Sequence, residues 1–170
     1  MLTSLSIKNY ALIDNLSVNF NNGLSIITGE TGAGKSILLG GLSLVLGKRA
    51  DLSSVKNKSE KCIIEAIFDI ANYNLKQLFL EQDLDYEPQS IVRREILPSG
   101  KSRAFVNDTP VNLDALQILS KHLIDIHSQH ETLELTNNQF QFRVIDALAK
   151  NDELLSQYSY KLEEYHSLQK

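Results

Sequence analysis

Glycines, a lysine and a serine stand in this chain at the spacing that cradles a polyphosphate: Gly29-Glu30-Thr31-Gly32-Ala33-Gly34-Lys35-Ser36. The pattern is GxxxxGK[ST]. It lies between an apolar run at 24–28 and a helical pattern at 37–46, which is the strand, loop and helix order that such a loop requires. Gly29, Gly32 and Gly34 let successive backbone N–H groups turn inward around phosphate oxygens, where a Cβ would block the approach. The helix then begins beneath the phosphates, with its unpaired N–H groups and positive dipole end toward the anion. Lys35 is expected to reach the β- and γ-phosphates, and the Ser36 hydroxyl to ligate Mg²⁺. Glu30, Thr31 and Ala33 lend mainly backbone.

A second polar cluster, His127-Ser128-Gln129-His130-Glu131, follows a short apolar stretch at 123–126 that reads as a strand. Polar groups at the end of a buried strand are where an α/β protein presents ligand contacts. His127, His130 and Glu131 also suggest zinc, but no further pair of ligands accompanies them, and the metal reading is set aside. Basic residues gather in two places. Lys48, Arg49, Lys56, Lys58 and Lys61 fall in a polar stretch read as a mobile loop, and Arg93, Arg94 and Arg103 lie on candidate strands. Either group could meet a nucleic-acid backbone, and either could simply solvate a surface. Both readings stay open. The single cysteine, Cys62, sits in an apolar strand pattern and reads as a buried, inert thiol.

The elements that must position these residues follow from periodicity. Residues 2–9 and 16–20 alternate as strands, and Asn21-Asn22-Gly23 turns the chain into a third strand at 24–28, giving an antiparallel meander that feeds the phosphate loop. Gly47 is a natural helix stop. A strand at 62–70, a short helix at 75–80, and a hairpin of 90–97 and 103–106 about Pro98-Ser99-Gly100-Lys101 come next. Helices are expected at 113–119, with Asn112 or Asp114 as cap, and at 140–148. From Ala149 the composition shifts: Leu155, Tyr158, Leu162 and Tyr165 repeat as a heptad seam, and the chain stops within that pattern. It reads as cut from something longer.

Length and composition bound the rest. With 170 residues, 42% hydrophobic and 22% charged, the chain can form a packed domain and is neither disordered nor fibrous. Its net charge of −4 gives no general drive toward nucleic acid. No apolar stretch approaches the roughly 20 residues that span a bilayer, and no basic-then-apolar leader opens the chain. The expected setting is a reducing cytoplasm, without a membrane partner.

Taken together, these segments resemble the N-terminal half of the ATPase head of the RecN family, bacterial DNA double-strand-break repair proteins related to the structural-maintenance-of-chromosomes (SMC) family. Leu5-Ser6-Ile7-Lys8-Asn9-Tyr10-Ala11-Leu12-Ile13 is similar to that family's opening strand, and residues 29–37 to its phosphate loop. Ser102-Arg103-Ala104-Phe105-Val106-Asn107 resembles its hairpin, and Asp125-Ile126-His127-Ser128-Gln129-His130-Glu131 its Q-loop. Ser128 departs from the glycine usual there, which restricts the backbone without touching Gln129. The resemblance implies an α/β fold: a P-loop NTPase, the N-terminal lobe of an ABC/SMC-like head, with an antiparallel β meander and hairpin, ending in the start of a coiled-coil helix.

It also implies ATP and Mg²⁺ as ligands, with Gln129 contacting the metal and the attacking water. Residues 1–150 would form half of a head and 151–170 the start of a coiled-coil arm. An acidic Walker B strand ending in Asp-Glu and a Leu-Ser-Gly-Gly signature are not found; Gly40-Gly41 merely follows leucines within the first helix. In the family those parts lie beyond the arm. The partners implied are the C-terminal half of the same parent, a second head in a parent homodimer, and DNA through the parent, which would be cytoplasmic and associated with the nucleoid. The competing reading is a self-contained small P-loop NTPase or kinase, although no base-recognition motif such as Asn-Lys-x-Asp is present.

Overall fold

Alternating apolar residues build the sheet on which the first unit of the chain is organised. The structure, a computed structural model, describes residues 1–28, 34–126 and 138–169; Gly29, Glu30, Thr31, Gly32 and Ala33, the cluster from His127 to Glu131, and Lys170 lie outside the described residues. Two units are distinguished, Met1–Asp125 and Ile126–Lys170. The first contains a sheet of six strands, β1 (Leu2–Tyr10), β2 (Ile13–Asn19), β3 (Cys62–Asp69), β4 (Gln89–Ile96), β5 (Ser102–Val106) and β6 (Thr109–Val111). Their order is β2-β1-β3-β4-β5-β6, and every pairing is antiparallel.

One face of this sheet is the core. Ile7 faces Ile64 and Leu5 faces Ala66, Ala66 faces Val92, and Val92 faces Val106; all are buried. Helices α1 (Lys35–Val45), α2 (Lys76–Glu81) and α3 (Leu113–Leu123) add Leu42, Val45, Phe79, Leu116 and Leu119 to the buried set. The hairpin expected about Pro98-Ser99-Gly100-Lys101 forms, closed by Leu97 accepting from the Gly100 N–H at 2.9 Å. Asn112 caps α3 by accepting from the Ala115 N–H at 2.8 Å.

Several expectations need correction. Residues 24–28 are not a strand. β1, the strand they would most simply join, already has β2 on one side and β3 on the other, and 24–28 forms no ladder with any strand among the described residues. Nor is 123–126 a strand. Leu123 continues the buried spacing of Leu116 and Leu119 and is the last residue of α3, while Ile124 is extended (φ −158°, ψ 146°) without a ladder. β6 was not foreseen; it returns from β5 through Asn107 and Asp108, both left-handed (φ 47° and 65°), the paired conformation of a tight hairpin turn.

The second unit holds α4 (Asn138–Ala149) and α5 (Asp152–Leu168). Left-handed Lys150 (φ 55°) breaks them apart. The junction is tied by Asn151, whose N–H donates to the Asp146 carbonyl at 3.1 Å. The seam residues Leu155, Tyr158, Leu162 and Tyr165 all lie on α5 and are exposed.

Candidate nucleotide-binding site

The N-terminal end of α1 carries the described part of the site. Gly34 precedes the helix in a helical conformation (φ −107°, ψ −50°), and its carbonyl accepts from the Leu38 N–H at 3.1 Å. Among the described residues no side chain caps this end, and no acidic residue lies in its first turn. Gly34, Lys35 and Ser36 are exposed. The first-turn N–H groups, which no helical carbonyl can reach, thus stand beside an ammonium and a hydroxyl. The donor set suits a phosphate and its metal ion.

What seats α1 is a pair of glycines in its middle. A Cβ on Gly40 would stand 2.8 Å from Tyr10 Oη, and one on Gly41 2.8 Å from Ile7 Cδ1. A Cβ at either position would displace the end of the Tyr10 or Ile7 side chain that the helix rests on. Two adjacent glycines in a helix interior cost about 1 kcal/mol each relative to alanine, a cost that signals close packing rather than a signature motif. The far end of α1 is fixed by α3. Ser120 Oγ donates to the Leu46 carbonyl at 3.0 Å and Gln117 Nε2 to the Gly47 carbonyl at 2.9 Å, with Gly47 left-handed (φ 96°). These two side chains satisfy carbonyls that a helix end leaves without partners.

Beside Lys35 opens an apolar cavity of about 480 Å³, walled by Leu5, Phe20, Ile27, Leu38 and Leu42 among others. Gly23, Ser25 and Ile27 line one side of it, and the neighbouring Leu24 and Ile26 are 89% and 76% exposed.

The basic stretch after α1 is pinned rather than mobile, and the cause is Asn9. Left-handed (φ 57°) and buried at the end of β1, its carboxamide donates to the carbonyls of Asn57 (2.9 Å) and Glu60 (3.2 Å) and accepts from the Asn57 N–H (2.7 Å). Val55 is buried and bridges Tyr10. Lys56 pairs with Asp14 at 2.6 Å and Lys61 approaches Glu95 at 3.9 Å, while Lys48, Arg49 and Lys58 are exposed. An asparagine closing a strand pattern was the available signal, since asparagine tolerates the left-handed region and can bond local backbone.

The three strand arginines differ. Arg93 lies over the Phe105 ring at 4.8 Å and reaches Glu95 and Asp108 at 3.7 and 3.5 Å. Arg103 is exposed. Arg94 is buried, on the core face between Ile64 and Ala104. A single role for all three does not fit this arrangement. Gln129, Ser128, His127, His130 and Glu131 fall outside the described residues, as do the five loop residues 29–33; of the predicted site, Gly34, Lys35 and Ser36 are placed.

The AAA domain family matches residues 4–170. The DNA repair protein RecN of Haemophilus influenzae is 38% identical over 159 residues, 91% of this chain and 28% of its own length. RecN of Bacillus subtilis is 38% identical over 151 residues, 88% of this chain and 26% of its own. The chain thus spans little more than a quarter of the curated relatives it matches. Among solved structures, the Smc head domain with an extended coiled coil from Pyrococcus furiosus, bound to the C-terminal domain of ScpA, superposes with a TM-score of 0.62 at 18% identity, covering 98% of this chain and 46% of that one. A structure from work on ATP-driven dimerisation and DNA-stimulated activation of SMC ATPases gives 0.61 at 16% identity, covering 86% and 98%. The fold is that of the SMC-type ATPase head.

Proposed function

Because the chain belongs to the AAA domain family, we propose that it supplies the ATP-binding N-terminal half of an SMC-like ATPase head whose parent acts in DNA double-strand-break repair and recombination. The observation that carries this reading is the first turn of α1, which has no side-chain cap among the described residues and sets Lys35 and Ser36 after Gly34 at an exposed helix end. The 91% of the chain that is similar to a DNA repair protein supports the wider role. Residues 1–150 make up the half-head and 151–170 begin a coiled-coil arm, with Leu155, Tyr158, Leu162 and Tyr165 as its seam.

In this reading the backbone of Gly29, Glu30, Thr31, Gly32, Ala33 and Gly34 encloses the phosphates. Lys35 neutralises the β- and γ-phosphate oxygens, and Ser36 and Gln129 would hold Mg²⁺, which when bound offsets phosphate charge. Gln129 accepts from water and donates to phosphate without placing a negative charge beside the polyphosphate. The general base and the facing signature are supplied by the C-terminal half of the parent and by a second head, and DNA is engaged by the assembled parent in the cytoplasm. Among the described residues no helix is long and apolar enough to cross a membrane.

The test separates binding from turnover. The chain is expected to bind Mg-ATP and to hydrolyse it no faster than background. Lys35→Ala should weaken binding roughly tenfold or more, the worth of a charge-assisted contact. Gln129→Ala should weaken it less, and adding the C-terminal half should restore hydrolysis. Steady turnover by the chain on its own, lost in Lys35→Ala, would instead favour a self-contained nucleoside triphosphatase or kinase.

A further inference from the structure

Arg94 is placed where a cation is least welcome. It stands on the helix-covered face of the sheet, in line with Val92 and Ile96 along β4 and flanked by Ile64 and Ala104 across it, and is 2% exposed. Its Nε and Nη2 are buried and find no hydrogen-bond acceptor among the described residues. A guanidinium stays charged, so burying it with two nitrogens unpartnered is strongly unfavourable unless something offsets the lost hydration. Desolvation accordingly lowers its pKa.

The space it lines explains what could offset that cost. A cavity of about 370 Å³ is bounded by Arg94, by Arg49 and Ala50 from the segment after α1, and by Asn112 and Leu113 at the start of α3. None of the residues lining it is acidic. Arg103 also borders it, yet by register it pairs with Glu95 on the opposite face of the sheet. Asp114, the acidic residue of the first turn of α3, does not line the cavity. A buried guanidinium, a second and exposed guanidinium, and the positive end of an eleven-residue helix therefore converge from three elements. A carboxylate offers two oxygens and is satisfied by one arginine fork; three converging donor groups match a tetrahedral oxyanion better.

We propose that the Arg94 cavity is a phosphate-binding site, separate from the Gly29–Ser36 loop, that takes a terminal phosphate monoester on Arg94, Arg49 and the N-terminal end of α3. Two sources carry that chemistry: a small free phosphate and the 5′-phosphate of a DNA strand. Orthophosphate, and a short duplex with 5′-phosphates beside its 5′-hydroxyl twin, are the probes. Binding is followed by calorimetry in the Lys35→Ala chain, so that the loop does not compete.

Orthophosphate binding that persists in Lys35→Ala and weakens roughly tenfold in Lys35→Ala/Arg49→Ala, the loss expected for one charged contact, supports the site with a small-molecule source. Preference for the 5′-phosphorylated duplex over its twin, with the same dependence on Arg49, supports it with a DNA-end source. Arg94→Met is expected to raise the denaturation midpoint in phosphate-free buffer while abolishing the response to phosphate, because it removes the buried charge and the ligand fork together. Should that variant fail to fold, Arg49→Ala, at an exposed position, decides. Failure of both probes to bind, or binding indifferent to Arg49, overturns the proposal.

Discussion

Two apolar runs of this chain have the same β-favouring composition and opposite fates. In β3, Cys62, Ile64, Ala66 and Phe68 are wholly buried or nearly so, and the strand has β1 on one side and β4 on the other. Leu24-Ser25-Ile26-Ile27-Thr28 is as rich in strand formers, yet it is not a strand, and its leucine and first isoleucine are exposed. Propensity does not separate them. What differs is backbone pairing: β3 is ladder-bonded on both edges, and 24–28 pairs with no strand among the described residues. Strand propensity measures how well a side chain suits a pleated, half-covered surface, and it cannot supply the second strand.

The comparison breaks first at its buried side. Phe68→Ala removes a fully buried ring from the centre of the core and should cost about 3–5 kcal/mol, read as a lower midpoint of chemical denaturation. Ile26→Ser should change that midpoint by no more than about 0.5 kcal/mol, as an exposed position does. A large loss in Ile26→Ser would show that 24–28 is packed after all. The next largest effect lies where sheet and loop meet. Asn9→Ala strips three hydrogen bonds from the 57–60 segment and leaves alanine in a left-handed position, for about 2–3 kcal/mol. Amide exchange should then rise across 51–61 and remain slow in β3; unchanged exchange in the loop would refute the pinning role.

How legible each part was follows from the same distinction. β1, β3, the β4–β5 hairpin, α1 and α3 could be read from the sequence because each carries its own periodicity and its own stop, such as Gly47 or the Pro98 turn. Residues 24–28 could not, because their state depends on a partner. The pinned loop depends on one asparagine fifty residues away, a contact that no local pattern reveals. β6 announced itself only through Asn107 and Asp108, a turn pair weaker than Asn-Gly. The site divides in the same way. Its composition was plain in the motif, whereas the seat of α1 on Tyr10 and Ile7, through Gly40 and Gly41, required the sheet to be in place. That Arg94 lies inward while Arg93 lies outward is a matter of strand phase, which the alternation of Ser90, Val92, Arg94 and Ile96 already contains.

A smaller effect sharpens the exposed side. Leu24, Ile26 and Leu39 present apolar surface near the cavity beside Lys35, and such surface binds apolar dyes and favours association. The chain should bind an apolar fluorescent dye and self-associate as its concentration rises, and Leu24→Ser/Ile26→Ser should reduce both without moving the denaturation midpoint. Light scattering from a clean monomer at high concentration, with no dye signal, would contradict this.

The smallest effect at neutral pH belongs to Cys62, which opens β3 and reports on the buried region from within. Fully buried among apolar side chains, its thiol is pushed up to about 11 from an ordinary 9.0 by desolvation. A raised thiol pKa favours the neutral form in the folded state. Below pH 9 the thiol is neutral in both states and contributes nothing that varies with pH. Between about 9 and 11 the unfolded chain ionises while the folded one resists, so stability falls with a slope of at most about 1.4 kcal/mol per pH unit, and the fall stops once the folded thiol also ionises. Tyr10 is shifted upward as well, and the clean measurement is therefore the difference between wild type and Cys62→Ala across this window. That difference should be constant up to pH 9 and shrink toward 11, because the alanine variant lacks the titrating group. A difference that stays flat would mean that the first residue of β3 is no better shielded from water than residues 24–28.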